Sequence, residues 1–81
     1  MDVEGPFIAP SAHKHDVSDE DILHVIRNPT DIDDPDDGNG YITFYGPDYA
    51  GNPLEVGAVV SDDGVLVIVH AMSDQRPQKI R

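Results

Sequence analysis

The stretch Leu54–Met72, which reads LEVGAVVSDDGVLVIVHAM, constrains the fold more than any other part of the chain. It contains two runs rich in aliphatic and β-branched residues, and an Asp-Gly pair between such runs is the strongest local signal for a β-hairpin. A two-residue turn at Asp63-Gly64 places an apolar set on one face: Leu54, Val56, Ala58, Val60, Val67, Val69 and Ala71. We therefore expect a helix to cover this face.

The opposite face of the predicted hairpin mixes apolar and ionisable side chains, because successive side chains of a strand point to opposite sides of the sheet. With the two-residue turn, His70 lies opposite Gly57 and diagonal to Glu55. A three-residue loop, Asp62-Asp63-Gly64, shifts the pairing by one residue and sets His70 opposite Val56. The sequence leaves both registers open, and we expect any chemistry on the face that carries His70.

A helix is predicted to begin at Asp19. Ser18 is a suitable N-cap, Asp21 completes a capping-box-like pattern three residues later, and acidic residues suit the positive end of the helix dipole. Asn28-Pro29 ends the helix, because the residue before proline is disfavoured in helical conformation. Four apolar residues form a stripe that can cover the hairpin: Ile22, Leu23, Val25 and Ile26.

The remaining signals predict an α+β fold. Tyr41–Tyr45 alternates as a strand and joins the hairpin in meander order, and a short strand near Asp31–Asp33 would be a fourth. Ser11–His15 has the composition of one helical turn, and Phe7 and Ile8 can pair at a sheet edge. We expect a small three- to four-stranded antiparallel sheet with one or two N-terminal helices packed on one face. The predicted organisation is an N-terminal arm (1–10), a single α+β domain (11–76) and a C-terminal tail (77–81).

The chain is short and strongly acidic. Its 81 residues include 16 Asp and Glu but only five Lys and Arg, which gives a formal net charge of −11. Such a charge repels nucleic acid and anionic membranes at long range and favours basic protein partners. The absence of cysteine excludes disulfides, thiolate zinc sites and cysteine nucleophiles. The N-terminus does not read as a signal peptide and no apolar run is long enough for a bilayer, so we expect a soluble, cytoplasmic protein.

Among the candidate chemical groups, His70 stands out, because a carboxylate such as Glu55 beside an imidazole suits general acid–base catalysis. A strand-end histidine bonded to backbone is the commoner arrangement. His13 and His15 flank Lys14, and this cluster suits phosphate binding or proton transfer, although exposed loop histidines are common. No metal-binding motif is present, and we expect neither a metal nor another cofactor.

Four motifs, taken in order, resemble the BrnT-like toxins, and the resemblance is to the short actinobacterial and phage members. They are KHDV at Lys14–Val17, NP at Asn28-Pro29, GPDYAGNPLEVGAVV at Gly46–Val60 and VIVHAM at Val67–Met72. The corresponding family pattern runs KHGVS, NP, GPDRAGNLLEVGVV and VIHAM followed by basic residues. The match extends over about residues 12–78. It departs from the pattern at Asp16, which replaces a glycine, and at Tyr49, which replaces an arginine.

The resemblance implies a RelE-like fold and a toxin that cleaves RNA without metal and is inhibited by an antitoxin. By position it implies proton transfer by His15 and His70, phosphate contacts by Lys14 and Arg76, and an orienting or basic role for Glu55. The net charge of −11 opposes contact with RNA, whose phosphates normally dominate affinity. The alternatives are a catalytically inactive acidic interaction module, of bacterial or phage origin, that binds a basic protein, and a structural homodimer formed through the exposed sheet face or edge.

Overall fold

The fold is α+β in a computed structural model that describes residues 6–35, 38 and 40–76. Within these residues it contains one α-helix, one short 3-10 turn and a five-stranded mixed sheet. The strands are β1 (Phe7–Ile8), β2 (Asp31–Asp33), β3 (Tyr41–Pro47), β4 (Pro53–Val60) and β5 (Leu66–Ser73), with the 3-10 turn at Pro10–His13 and helix α1 at Asp19–Arg27. The predicted tail (77–81) and the first half of the predicted arm (1–5) lie outside the described residues.

The sheet has the strand order β1-β5-β4-β3-β2, and β2 to β5 form the expected antiparallel meander. The prediction of a purely antiparallel sheet with three or four strands was wrong, because β1 adds a fifth strand parallel to β5. Ile8 packs partly against the core, and the Ala9 N–H donates to the Ile68 carbonyl at 2.9 Å. A two-residue strand is too short to show an alternating pattern in the sequence, so its direction has no local signal.

The hairpin between β4 and β5 combines both of the registers that the sequence left open. Its loop has three residues, Asp62–Gly64, closed by a 2.9 Å bond from the Ser61 N–H to the Val65 carbonyl, and Gly64 takes the left-handed conformation (φ 84°) that this loop requires. Next to the loop, Ala58 pairs with Ile68. Beyond a β-bulge, Gly57 pairs with His70 as in the two-residue register. Val69 is the extra residue that restores this pairing.

The bulge changes which side chains of β5 enter the core. Val67 and Val69 were predicted on the covered face, but Ile68 is the residue that is fully buried there, and Leu66 packs partly against the core. After the bulge, Ala71 points to the core as predicted. The buried hydrophobic residues are Ala12, Ile22, Val25, Leu54, Val56, Ala58, Ile68 and Ala71.

Helix α1 begins at Asp19 as predicted and covers one face of the sheet. The Ser18 hydroxyl accepts a hydrogen bond from the Asp21 N–H at 3.1 Å, which is the predicted N-cap. Ile22 and Val25 are buried against the strands. In the described part of the chain no helix is long and apolar enough to cross a membrane.

Candidate functional site

The sheet face opposite α1, here called the open face, carries most of the predicted site residues. Facing residues of neighbouring antiparallel strands share one side of a sheet. The register therefore sets His70 beside Gly57 and Thr43, and Tyr45 beside Glu55. These rows run across β3, β4 and β5, the three longest strands, so the backbone beneath them is held by hydrogen bonds on both sides of β4.

His70 and Glu55 form the centre of this face. The His70 Nε2 lies 3.2 Å from a Glu55 carboxylate oxygen, and the two side chains are 32% and 20% exposed. The other Glu55 oxygen accepts a hydrogen bond from the Gln75 N–H at 3.3 Å. Two partners thus hold the Glu55 carboxylate, which in turn fixes the orientation of the imidazole. The predicted contact between His70 and Glu55 is confirmed.

His15 approaches the same pair from the N-terminal segment. Its ring centroid lies 6.1 Å from that of His70, and the planes meet at 80°. The segment is tied to β5 because the Ser11 hydroxyl donates to the Val69 carbonyl at 2.8 Å. A bulge leaves backbone groups outside the strand ladder, so the bulge at Val69 supplies the acceptor that anchors the segment carrying His15.

Arg76 lies on the neighbouring Tyr45 row, but its charge is already paired. Its guanidinium contacts Asp74 at 2.9 Å and Asp31 at 3.0 Å, and it stacks on the Tyr45 ring at 3.4 Å from the centroid. The Asp74 side chain is only 6% exposed. Hydrogen bonds from Arg76 lower the pKa of Asp74, and the bond with Asp74 raises the pKa of Arg76. Burial raises the pKa of Tyr45.

Lys14 stands immediately before His15 and is exposed. None of the described residues forms an ion pair with it. Lys14 is therefore available to an anion, whereas Arg76 reaches one only after its bonds with Asp74 and Asp31 break.

The other two histidines, His13 and His24, pair with different residues. His13 pairs with Asp19 at the start of α1. His24, in helix α1, stacks on Tyr49 with 4.1 Å between ring centroids. Within the described residues there is no group of three or more His, Cys, Asp or Glu side chains able to hold a metal ion.

Sequence reasoning missed Tyr41, which belongs to the open face. Tyr41 from β3 lies across Gly57, so its phenol end sits next to His70. The signal was present, because glycine inside a strand often marks a place where another group approaches closely. The predicted hairpin gave no indication of which group that was, since Tyr41 belongs to a different strand.

A separate cavity of about 390 Å³ lies beside the helix N-terminus. Its lining is acidic and includes Asp16, Asp21, Asp48 and Asp74. Burial acts to raise the pKa of Asp48, but hydrogen bonds from Asn52 and nearby backbone N–H groups outweigh it and the pKa is lowered. The cavity contains none of the predicted catalytic residues.

Comparisons with known proteins leave the site to be interpreted on its own geometry. No protein-family model matches the chain, and neither a curated protein nor a solved structure matches it.

Proposed function

We propose that the chain is a metal-independent endoribonuclease of the toxin type that the BrnT-like resemblance implies, with its active site on the open face. The observation that carries the proposal is the meeting of His15, His70 and Glu55. His15 and His70 are far apart in the sequence, yet their rings lie 6.1 Å apart, and Glu55 contacts His70 at 3.2 Å. This is the pair of imidazoles that the resemblance assigns to proton transfer.

The chemistry needs a base and an acid on either side of a phosphodiester. One imidazole takes the proton from the ribose 2′-hydroxyl as its oxygen bonds to phosphorus, and the other gives a proton to the 5′ oxygen as its bond to phosphorus breaks. Histidine suits both roles near neutral pH. Glu55 holds His70 in place, and Lys14 is the available cation beside His15.

The conformation of Asp16 also supports the resemblance. This residue replaces the glycine of the family pattern, and it has a positive φ of 63°. Glycine takes that conformation most readily, and aspartate tolerates it better than most residues. The family pattern and this backbone are therefore compatible at the position where the sequences differ.

The test is cleavage of RNA by the purified protein in EDTA and at low salt, where weak phosphate contacts are strongest. We expect the parent to cleave, and His70→Ala and His15→Ala to lose about a hundredfold or more, the scale of general acid–base catalysis. His24→Ala is the matched control. It also removes an imidazole, but His24 belongs to α1, on the other side of the sheet from the open face, and stacks on Tyr49. It should cleave like the parent.

Folding of each variant is checked by circular dichroism before its activity is interpreted. Equal cleavage by His70→Ala and the parent would remove His70 from the mechanism. A folded parent that cleaves no RNA would reject the nuclease proposal.

A second candidate is an acidic module that binds a basic protein, and the pairing of Arg76 favours it. Asp31 and Asp74 form ion pairs with Arg76 beside Tyr45, and the whole chain has a net charge of −11. Charge complementarity would speed association with a basic partner. If the folded parent does not cleave RNA, we expect it to bind a basic protein in a manner that weakens as salt rises.

A further inference from the structure

Gly57 occupies the middle of β4, where glycine is costly. It is buried, and its φ lies outside the left-handed region, so the backbone does not require glycine there. A glycine inside a strand weakens that strand and contributes no side chain to packing. We therefore look for the reason in the space that a side chain at position 57 would occupy on the open face.

That space is filled by Tyr41. A methyl group at Gly57 would lie 2.8 Å from the Tyr41 Cζ and closer still to its hydroxyl oxygen, while the His70 Cβ would be 3.3 Å away. Tyr41 pairs in register with Val59, so its side chain leans along β4 by two residues to reach Gly57. The missing side chain at Gly57 thus brings the phenol end of Tyr41 next to His70.

We propose that Tyr41 is a substrate-contacting residue, whose hydroxyl donates a hydrogen bond to a non-bridging oxygen of the phosphodiester held at His15 and His70. This inference rests on the proposed nuclease function and extends it. A tyrosine hydroxyl donates a hydrogen bond without carrying charge, and Tyr41 is 38% exposed.

The charges around the site explain the use of a neutral donor. Arg76 is paired with Asp31 and Asp74, and Glu55 adds another carboxylate to the face. Of the cations that the resemblance assigns to phosphate contacts, Lys14 alone has no ion-pair partner among the described residues. A fixed hydroxyl beside His70 supplies a second contact for the anion, and donors aimed at developing negative charge also accelerate the reaction.

The primary variant is Tyr41→Phe, which keeps the ring and removes the hydroxyl. We expect kcat for cleavage to fall by about a hundredfold to a thousandfold, the range found when one such donor is removed. Tyr49→Phe is the matched control, because Tyr49 stacks on His24. It should leave kcat unchanged, and urea unfolding should confirm that both variants are as stable as the parent.

A second readout uses inorganic phosphate and does not depend on cleavage. Phosphate is titrated into parent, Tyr41→Phe and Tyr49→Phe, and the imidazole signals of His15 and His70 are followed by NMR. We expect phosphate to shift both signals in the parent and in Tyr49→Phe, and its affinity to fall several-fold in Tyr41→Phe.

Gly57→Ala tests the space rather than the hydroxyl. The added methyl group has to push the end of the Tyr41 side chain away, since the two cannot occupy the same place. We expect this variant to lose kcat and phosphate affinity as Tyr41→Phe does, while the double variant loses little more than either single one. Such non-additivity is typical of two residues that act through one contact.

The outcomes separate the two proposals. Cleavage by Tyr41→Phe at the parent rate would overturn the role of Tyr41 and leave the nuclease proposal standing. If the folded parent does not cleave RNA, the nuclease proposal fails. The proposed anion contact of Tyr41 is then tested by phosphate binding alone. Weaker phosphate binding by Tyr41→Phe then supports the anion contact. Equal binding, or no binding by the parent, overturns it.

Discussion

Asp16 has a left-handed backbone conformation, with φ 63°, between the 3-10 turn and α1. Its N–H donates to the His13 carbonyl at 3.1 Å, so the conformation reverses the chain just after His15. Most residues avoid this region because the Cβ crowds the backbone, whereas glycine, asparagine and aspartate enter it more easily. The position of His15 therefore depends in part on the residue at 16.

We predict that Asp16→Ala destabilises the fold by about 1 kcal/mol relative to Asp16→Asn. Both substitutions remove the negative charge from the wall of the acidic cavity, but only asparagine tolerates the left-handed conformation. Urea unfolding followed by circular dichroism measures the difference. Equal stability of the two variants would mean that the conformation at residue 16 carries no energetic cost.

The sequence predicted the central pair of the site but not its surroundings. His70 and Glu55 lie on one hairpin, so strand periodicity predicted their contact in one of the two registers that the sequence left open. Tyr41 and Arg76 act across strands that are distant in the sequence, and their partners have no local signature. The approach of His15 was expected only from the family resemblance, because a loop residue has no fixed direction.

Among the elements, the hairpin determines the layout of the site. Two registers were consistent with its sequence, and the structure uses one on each side of the bulge. The three-residue loop alone would set His70 opposite Val56, on the covered side. Because Val69 is an extra residue in β5, His70 pairs with Gly57 instead and its side chain lies on the open face. The bulge could not be predicted, since neither Ile68 nor Val69 differs in character from the residues around it.

The bulge makes a direct prediction about core positions. Ile68→Asp should abolish cooperative folding, because it removes a fully buried side chain and buries an unpaired carboxylate. A chain of this length has a total stability of about 4–12 kcal/mol. Val69→Asp should stay folded at a cost of about 1 kcal/mol, since Val69 is only half-buried.

Circular dichroism and urea unfolding distinguish the two variants. Ile68→Val is the control for loss of volume alone and should cost about 0.5–1.5 kcal/mol. A folded Ile68→Asp together with an unfolded Val69→Asp would show that the straight two-residue register extends through the whole hairpin.

On the scale of the whole molecule, the net charge of −11 acts on both stability and binding. The helix and the meander were predictable because their signals are local, whereas the distribution of charge in space depends on the fold. The structure pairs the acidic residues Asp31 and Asp74 with Arg76 on the side of the sheet that carries Tyr45. A strand near Asp31–Asp33 was expected, but its use as a partner for Arg76 was not.

We predict that stability rises as NaCl increases from about 10 mM to about 200 mM. Salt screens exposed charges separated by more than about 10 Å at 0.1 M, and an excess of like charge destabilises a compact chain. The same salt weakens exposed ion pairs, but each of these contributes only about 0–1 kcal/mol. The stability gained by screening repulsion should therefore exceed the stability lost as ion pairs weaken. The free energy of unfolding, measured by urea unfolding at each salt concentration, gives the net effect.

The control is the double variant Asp62→Asn/Asp63→Asn, which removes two negative charges from the exposed hairpin loop and keeps residues suited to a turn. Its stability should depend less steeply on salt than that of the parent, because there is less repulsion to screen. If the parent instead loses stability as salt rises, the ion pairs around Arg76 outweigh the repulsion. The open face would then be held together mainly by charge, and its occupation by RNA or by a basic protein would compete with the fold itself.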